Sequence, residues 1–140
     1  MSVIYHVSGK PLPGKQKSML SQFRTGAGIM SRLGSFETRV HNVVMGNAAG
    51  NIGLACKFNS FANAMKALAD RESDPHWQEL METMRSNSSI ELSVRNLLRV
   101  ASGELDLSAK VHHIRTYSMK RAHLPQALEM FKEIEKIKDE

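Results

Sequence analysis

Hydrophobic positions in the first third of the chain change from a strand-like run to a helical stripe. The segment Val3–Val7 is short and rich in β-branched residues, and a cluster of glycine and proline follows it, which predicts a strand. Apolar residues then recur every three or four positions over Lys15–Leu33, which predicts an amphipathic helix that ends at Gly34. Gly26 and Gly28 lie inside this helix, and each weakens it by about 1 kcal/mol relative to alanine. We interpret them as positions where a neighbouring element packs close to the helix backbone.

Two strand-like segments in the middle of the chain predict a β-hairpin. They are Phe36–Met45 and Ile52–Phe58, and the turn-forming residues 47–51 separate them. In the second segment Cys56 alternates with the apolar residues Leu54 and Phe58. Cys56 is therefore predicted to be a core thiol and not a nucleophile.

A helical region and a further strand follow the hairpin. Ser60 is a suitable N-cap, and Asp74 with Pro75 predicts the start of a second helical segment. Apolar residues recur at helical spacing after both caps, with Trp77 among them, and Ile90–Val100 alternates as a strand. The resulting order β-α-β-β-α-β is that of the ferredoxin-like α+β fold.

The C-terminal third predicts one more strand and one more helix. Residues 101–109 read as a polar linker, Val111–Met119 is a strand candidate, and a helical stripe runs from Leu124 to Ile137. Shifted by 108 residues, this pair echoes the first strand and helix. The matched apolar positions are Val3 with Val111, Leu20 with Leu128, and Phe23 with Phe131. We predict a complete unit over 1–103 and a half-repeat over 104–140, which must pack on the same unit or on a partner subunit because it cannot bury its own apolar face.

Length and composition indicate one soluble domain of ordinary size. The chain has 140 residues, of which 41% are hydrophobic and 24% charged, and this length excludes a large multidomain enzyme. A single cysteine excludes an intramolecular disulfide and a multi-cysteine metal cluster. No stretch approaches the roughly 18 apolar residues of a membrane span, and the N-terminal segment lacks the pattern of a signal peptide. We expect a cytoplasmic protein with no membrane partner.

The formal net charge of +5 originates in the first two fifths of the chain. Residues 1–57 hold seven basic residues and one acidic residue, Glu37. A basic region can attract anions, although lysines scattered over a solvated face are the simpler explanation. An RNA-binding domain is disfavoured, because Gly53 and Ala55 occupy the strand positions where base-stacking aromatic residues belong. We therefore predict no nucleic-acid partner.

Several short motifs resemble the NIPSNAP-like branch of the dimeric α/β-barrel superfamily. The stretch Asn51–Ala64 and the DPHWQ run at 74–78 are similar to the strand, F-x-S turn, alanine-rich helix and D-P-x-W-Q motif of these proteins. The segment His113–Tyr117 resembles their E-L-R-T-Y strand, with His113 in place of the usual acid. The resemblance implies a four-stranded antiparallel sheet with helices on one face. It also implies a homodimer, in which the other sheet faces of two subunits pack together as a barrel.

Four basic side chains within or beside predicted strands are the candidate ligand-binding residues: His6, Arg39, His41 and Arg95. If their strand faces line the barrel interior, they form a basic cleft for a carboxylate or another small anion. His6 or His41 could then act as a general base near neutral pH. The alternative is that these side chains lie in water at strand ends or bind neighbouring strands, because alternation alone does not say which face meets the helices.

The remaining candidate residues have structural explanations. His112 and His113 point to opposite faces of a strand, and no metal-binding histidine spacing exists, so we predict no metal. Gly26 and Gly28 lie inside a helix pattern and not after a strand, so a nucleotide-binding loop is disfavoured, and we predict no cofactor. Asp74, Pro75 and Trp77 are predicted to be structural, with Trp77 packing its helix against the sheet. The function that we predict is binding of a small organic ligand, with an anion as one candidate. The alternatives are a non-catalytic assembly module and a cofactor-free monooxygenase or isomerase, so catalysis stays an open question.

Overall fold

The structure is a computed structural model that describes residues 2–138. The chain divides into two compact units, Met1–Arg99 and Val100–Glu140, where the sequence predicts a boundary after residue 103. Among the described residues, no helix combines the length and the apolar character that crossing a membrane requires.

The first unit is an antiparallel sheet with three helices. Its elements are β1 (Val3–Pro11), α1 (Gln16–Arg32), β2 (Glu37–Asn42), β3 (Ile52–Phe58), α2 (Phe61–Glu72), α3 (Pro75–Ser86) and β4 (Ile90–Arg99). The strand order is β2-β3-β1-β4, and every neighbouring pair is antiparallel. This is the strand order of the ferredoxin-like fold, so the predicted α+β fold class is confirmed.

Local sequence signals place the starts of α2 and α3. The Ser60 hydroxyl accepts a hydrogen bond from the backbone N–H of Asn63 at 3.1 Å. The Asp74 carboxylate accepts one from the backbone N–H of Trp77, also at 3.1 Å, and Pro75 occupies the first turn of α3. Both predicted caps are confirmed, because each satisfies an N–H group that has no partner inside its helix.

The core lies between the sheet and α1 and α2. On β1, Val3 and Tyr5 point to this side, and the register pairs them with Phe58 and Cys56 of β3. Met19, Phe23 and Met30 of α1 pack against them. Because successive strand residues point to opposite faces, the intervening residues lie on the other side, which carries none of the three helices. We call the two sides the helix-side face and the helix-free face.

The second unit contains the predicted helix but lacks the predicted strand. A short 3₁₀ helix at Arg121–His123 leads into α4 (Leu124–Lys138), which begins 108 residues after the first residue of α1. The predicted strand Val111–Met119 is not formed, since residues 111–120 have no regular secondary structure. An alternating sequence becomes a strand only where another strand supplies hydrogen bonds, and this segment has no such partner within the described residues.

Candidate functional site

The four predicted ligand-binding residues occupy opposite faces of the sheet. His6 of β1 pairs with Ala55 of β3, which in turn pairs with Arg39 of β2, so these residues share one row of the helix-free face. His41 lies one row further along on the same face. Arg95 pairs with Val7, which places it on the helix-side face. The prediction of one cleft formed by all four residues is therefore corrected: strand alternation separates Arg95 from the other three.

The histidines on the helix-free face contact each other directly. The Nε2 atoms of His6 and His41 are 3.0 Å apart, and the two ring planes differ by only 10°. This contact crosses β3, because β1 and β2 lie on either side of that strand in the sheet. Gly53 makes the contact possible, since a Cβ atom at that position would lie 2.3 Å from both Cε1 and Nε2 of the His41 ring.

The environment of the pair is half-buried and weakly charged. Burial lowers the pKa of His6 because it removes water from the imidazolium form. Arg39 is exposed on the same face. One row away, Lys57 pairs with Glu37 at 3.2 Å. His6, His41 and Arg39 therefore share the helix-free face, and the basic cleft that the sequence predicts for these three residues stays a prediction.

A cavity of about 60 Å³ lies on the helix-side face, between the sheet and α1, α2 and α3. Its walls are mainly apolar. They include Val7, Phe23, Met30, Leu54, Leu80, Met81, Met84 and Ile90. The polar groups that line it are Tyr5, Gln22, Arg71, Ser93 and Arg95, and Trp77 adds an aromatic ring. A mostly apolar cavity with a few converging polar groups is the usual form of a small-molecule site.

Arg71 is the buried charged residue of this lining. The residue is 7% exposed, although it lies at the C-terminal end of α2. Nη1 donates a hydrogen bond to the Tyr5 hydroxyl at 3.1 Å, and Nε donates to the Glu72 carboxylate at 3.3 Å. The guanidinium carbon lies 4.3 Å from the centroid of the Trp77 ring and 5.4 Å from that of Tyr5. Cation–π contacts with two aromatic rings thus stabilise the buried cation.

Arg95 and Gln22 are two further polar residues of the lining. Arg95 is exposed on β4 and makes no hydrogen bond or ion pair with the other residues that the structure describes. Gln22 of α1 accepts a hydrogen bond from the Ser89 hydroxyl, which ties α1 to the residue before β4. One buried arginine and one exposed arginine therefore line the cavity.

Sequence reasoning missed Arg71 because an arginine on a helix is usually solvated. A signal was nevertheless present. The apolar positions Ala64, Ala67 and Leu68 of α2 define its buried stripe, and the same spacing continues to position 71. An arginine in register with a buried stripe is a candidate for a buried charge.

The structure also shows the surroundings of Cys56 and Trp77, for which the sequence predicts structural roles. Burial raises the pKa of the Cys56 thiol to about 12, and the nearby charge of Arg71 only partly opposes this, so Cys56 is an inert core thiol as predicted. Trp77 belongs to a buried cluster with Ile29 of α1 and Leu80 of α3, and it lines the cavity together with Tyr5 of the sheet. Among the described residues, no three His, Cys, Asp or Glu side chains are placed to hold a metal ion.

Comparison with known proteins gives matches among solved structures only. Neither a protein-family model nor a curated protein matches the chain. A NIPSNAP family protein from Agrobacterium tumefaciens is 15% identical with a TM-score of 0.57, covering 71% of this chain and 92% of that one. An uncharacterized NIPSNAP domain protein from Burkholderia xenovorans is 14% identical with a TM-score of 0.57, covering 74% and 99%.

A structure described as an oxygenase resembles this chain to nearly the same degree as the NIPSNAP structures do. SnoaB, a cofactor-independent oxygenase from Streptomyces nogalater, is 14% identical with a TM-score of 0.56, and the match covers 73% of this chain and 95% of that one. At such identities the similarity establishes the fold and carries no activity. The chain thus has the ferredoxin-like fold that these NIPSNAP structures share, as the sequence motifs predict.

Proposed function

We propose that the first unit binds a small organic anion with an apolar body in the helix-side cavity. The observation that supports this most strongly is Arg71, a buried cation on the wall of an otherwise apolar cavity. Its hydrogen bonds to the other described residues use Nε and Nη1, so Nη2 is left for a carboxylate, phenolate or enolate oxygen.

The rest of the lining fits the same ligand. Trp77 and Tyr5 offer aromatic surface beside the cation, and a planar ring can pack against such surface. Arg95 supplies a second positive charge from β4. A ligand with a planar apolar body and one anionic group would satisfy both the walls and the two guanidinium groups.

The small volume of the cavity restricts how such a ligand can bind. A volume of about 60 Å³ is well below the roughly 300–1,000 Å³ of typical small-molecule sites. Met81 and Met84 are only partly buried, and their unbranched side chains can change rotamer. We infer that the ligand places its anionic group near Arg71 and that movement of these methionines makes room for the remainder.

The fluorescence of Trp77 provides a direct test, because it is the single tryptophan of the chain and lines the cavity. Benzoate and its neutral analogue benzamide are suitable probes. We expect benzoate to change the emission in a saturable way and benzamide to bind at least about tenfold more weakly, which corresponds to about 1.4 kcal/mol for a charge-assisted contact.

Two variants locate the binding site. Arg95→Met and Arg71→Lys should each raise the dissociation constant for benzoate by about tenfold. Arg85→Met is the matched control, because Arg85 is an exposed arginine of α3 that pairs with Glu82 and does not line the cavity. Equal affinities for benzoate and benzamide, or equal losses in Arg95→Met and Arg85→Met, would refute the proposed anion site.

We also propose that two copies associate through the helix-free face. The sequence resemblance implies this arrangement, and the face has suitable chemistry. Val94 and Leu98 of β4 are 48% and 50% exposed there, beside the buried Ile4. Light scattering at micromolar concentration should give twice the chain mass of 15.6 kDa. A mass of one chain would contradict the dimer and leave the ligand proposal unaffected.

A further inference from the structure

His6 and His41 form a bridge between two strands that are not neighbours. Neighbouring strands are about 4.8 Å apart, so β1 and β2 are separated by about twice that distance. The two imidazole rings span this gap, with Nε2 facing Nε2 at 3.0 Å. The ring centroids are 5.2 Å apart and the planes are nearly parallel, so the rings meet edge to edge and form an N–H···N hydrogen bond.

The backbone beneath the bridge is adapted to it. Gly53 pairs with His41, and the His41 ring occupies the space that any side chain at position 53 would fill. The φ angle of Gly53 is not among the positive values of the chain, so its backbone conformation does not require glycine. The ring contact is therefore the physical reason for glycine at this position.

Protonation changes this bridge in two steps. A neutral pair holds one N–H donor and one acceptor between the rings. One added proton keeps the bond and makes it charge-assisted. A second added proton leaves two donors facing each other and places two positive charges side by side, so the hydrogen bond is lost and the rings repel.

The other charges on the helix-free face nearly cancel, so a second proton on the histidine pair changes the net charge of this face noticeably. On the helix-free face, Glu37 of β2 pairs with Lys57 of β3, and Lys10 of β1 pairs with Glu91 of β4. Arg39 of β2, in the row of His6, contributes one further positive charge. The face is thus nearly neutral on a chain of net charge +5. A patch that meets its own copy must be close to neutral, because like charges would otherwise oppose each other across the two-fold axis.

From this arrangement we propose that the His6–His41 bridge is a proton-sensitive element of the helix-free face, and that association of two copies through this face weakens as the pH falls below neutrality. The proposal rests on the homodimer proposed above. Protonated bridges would bring up to four additional positive charges into one interface and would release the contact that connects β2 to β1.

Sedimentation equilibrium of the full chain at about pH 7.5 and about pH 5 tests the association. We expect the dimer dissociation constant to rise at least about tenfold at the lower pH. The double variant His6→Gln with His41→Gln carries no titratable ring on this face, so its dissociation constant should change much less. His76→Gln is the matched control, because His76 is exposed on α3 and its loss should preserve the wild-type pH response.

A nuclear magnetic resonance titration of the histidine side chains tests the bridge without reference to the dimer. The two rings should titrate as a coupled pair with two separated steps, and the coupling should be lost in Gly53→Ala, whose methyl group displaces the His41 ring. Independent titration of His6 and His41 in the wild type would overturn the bridge. A dimer with the same dissociation constant at both pH values would overturn its role in association, and a monomer at both would overturn the dimer itself.

Discussion

The buried arginine provides the sharpest test of how the first unit is held together. Arg71→Met keeps the length of the side chain and removes its charge. The substitution loses a hydrogen bond from a charged donor to the Tyr5 hydroxyl, worth about 1.5–3 kcal/mol, and the contact with the Trp77 ring, worth about 1–2 kcal/mol. Relief from burying a guanidinium offsets part of this loss. We expect the free energy of unfolding to fall by about 2 kcal/mol.

A double-mutant cycle separates the Arg71–Tyr5 contact from the other terms. Tyr5→Phe removes the hydroxyl that accepts the bond and should cost about 1 kcal/mol. Once Arg71 is methionine, that hydroxyl has lost its partner, so the two losses should not add. The expected coupling free energy is about 1–2 kcal/mol.

Urea unfolding measured by Trp77 fluorescence is a suitable assay. With a urea dependence of about 1–3 kcal/mol per molar, a loss of 2 kcal/mol lowers the midpoint by about 1 M. Arg85→Met is again the control, because its ion pair with Glu82 is exposed and should contribute less than about 0.5 kcal/mol. A coupling free energy of zero, or equal losses in Arg71→Met and Arg85→Met, would show that the buried contacts do not stabilise the fold as argued.

Two further predictions concern α1 and the start of α3. Gly26→Ala should stabilise the protein by about 0.5–1 kcal/mol, because alanine is the better helix former and its methyl group would lie at ordinary contact distance, 3.8 Å from Leu54 and 3.9 Å from Leu80. The melting temperature measures this effect, with Gly28→Ala as the comparison in which the added methyl group contacts nothing. A lower melting temperature for Gly26→Ala would mean that the packing around Gly26 leaves no room for a methyl group. The hydrogen bond from Arg32 at 2.6 Å lowers the pKa of Asp74 to about 2, below its ordinary 3.8. The folded state therefore binds fewer protons than the unfolded state, so the stability that Asp74 contributes is present above about pH 4 and is lost as the pH falls towards 2. The difference in melting temperature between wild type and Asp74→Asn should shrink over that range, with Asp70→Asn as an exposed control, and a constant difference would refute the linkage.

Much of the first unit could be predicted from local patterns. The bounds of β3 agree with the prediction at both ends, because a compact alternating segment lies between turn residues and a helix cap. The start of α3 was equally predictable, since Asp74 and Pro75 act on neighbouring backbone groups. The interpretation of Gly26 as a site of close backbone approach was not accurate, because the structure leaves room there for a methyl group. Local signals report what a residue does to its own backbone, and less about what lies across from it.

The candidate site depended on contacts between distant segments. Alternation placed His6, Arg39, His41 and Arg95 on strands, but only the pairing register showed that Arg95 lies on the opposite face from the others. Arg71 became a cavity residue because α2 packs with Tyr5 of β1 and Trp77 of α3. No sequence spacing relates these three residues.

The sequence by itself determined most of the helical and extended segments of the first unit, where its helices begin and the order that defines a ferredoxin-like unit, because capping, turn and periodicity signals act within a few residues. Only the tertiary structure decided which sheet face the helices cover, which charges are buried, and that residues 111–120 form no strand. The physical reason is that burial and strand pairing are interactions between segments far apart in the chain, and their free energy depends on a partner that no local pattern contains.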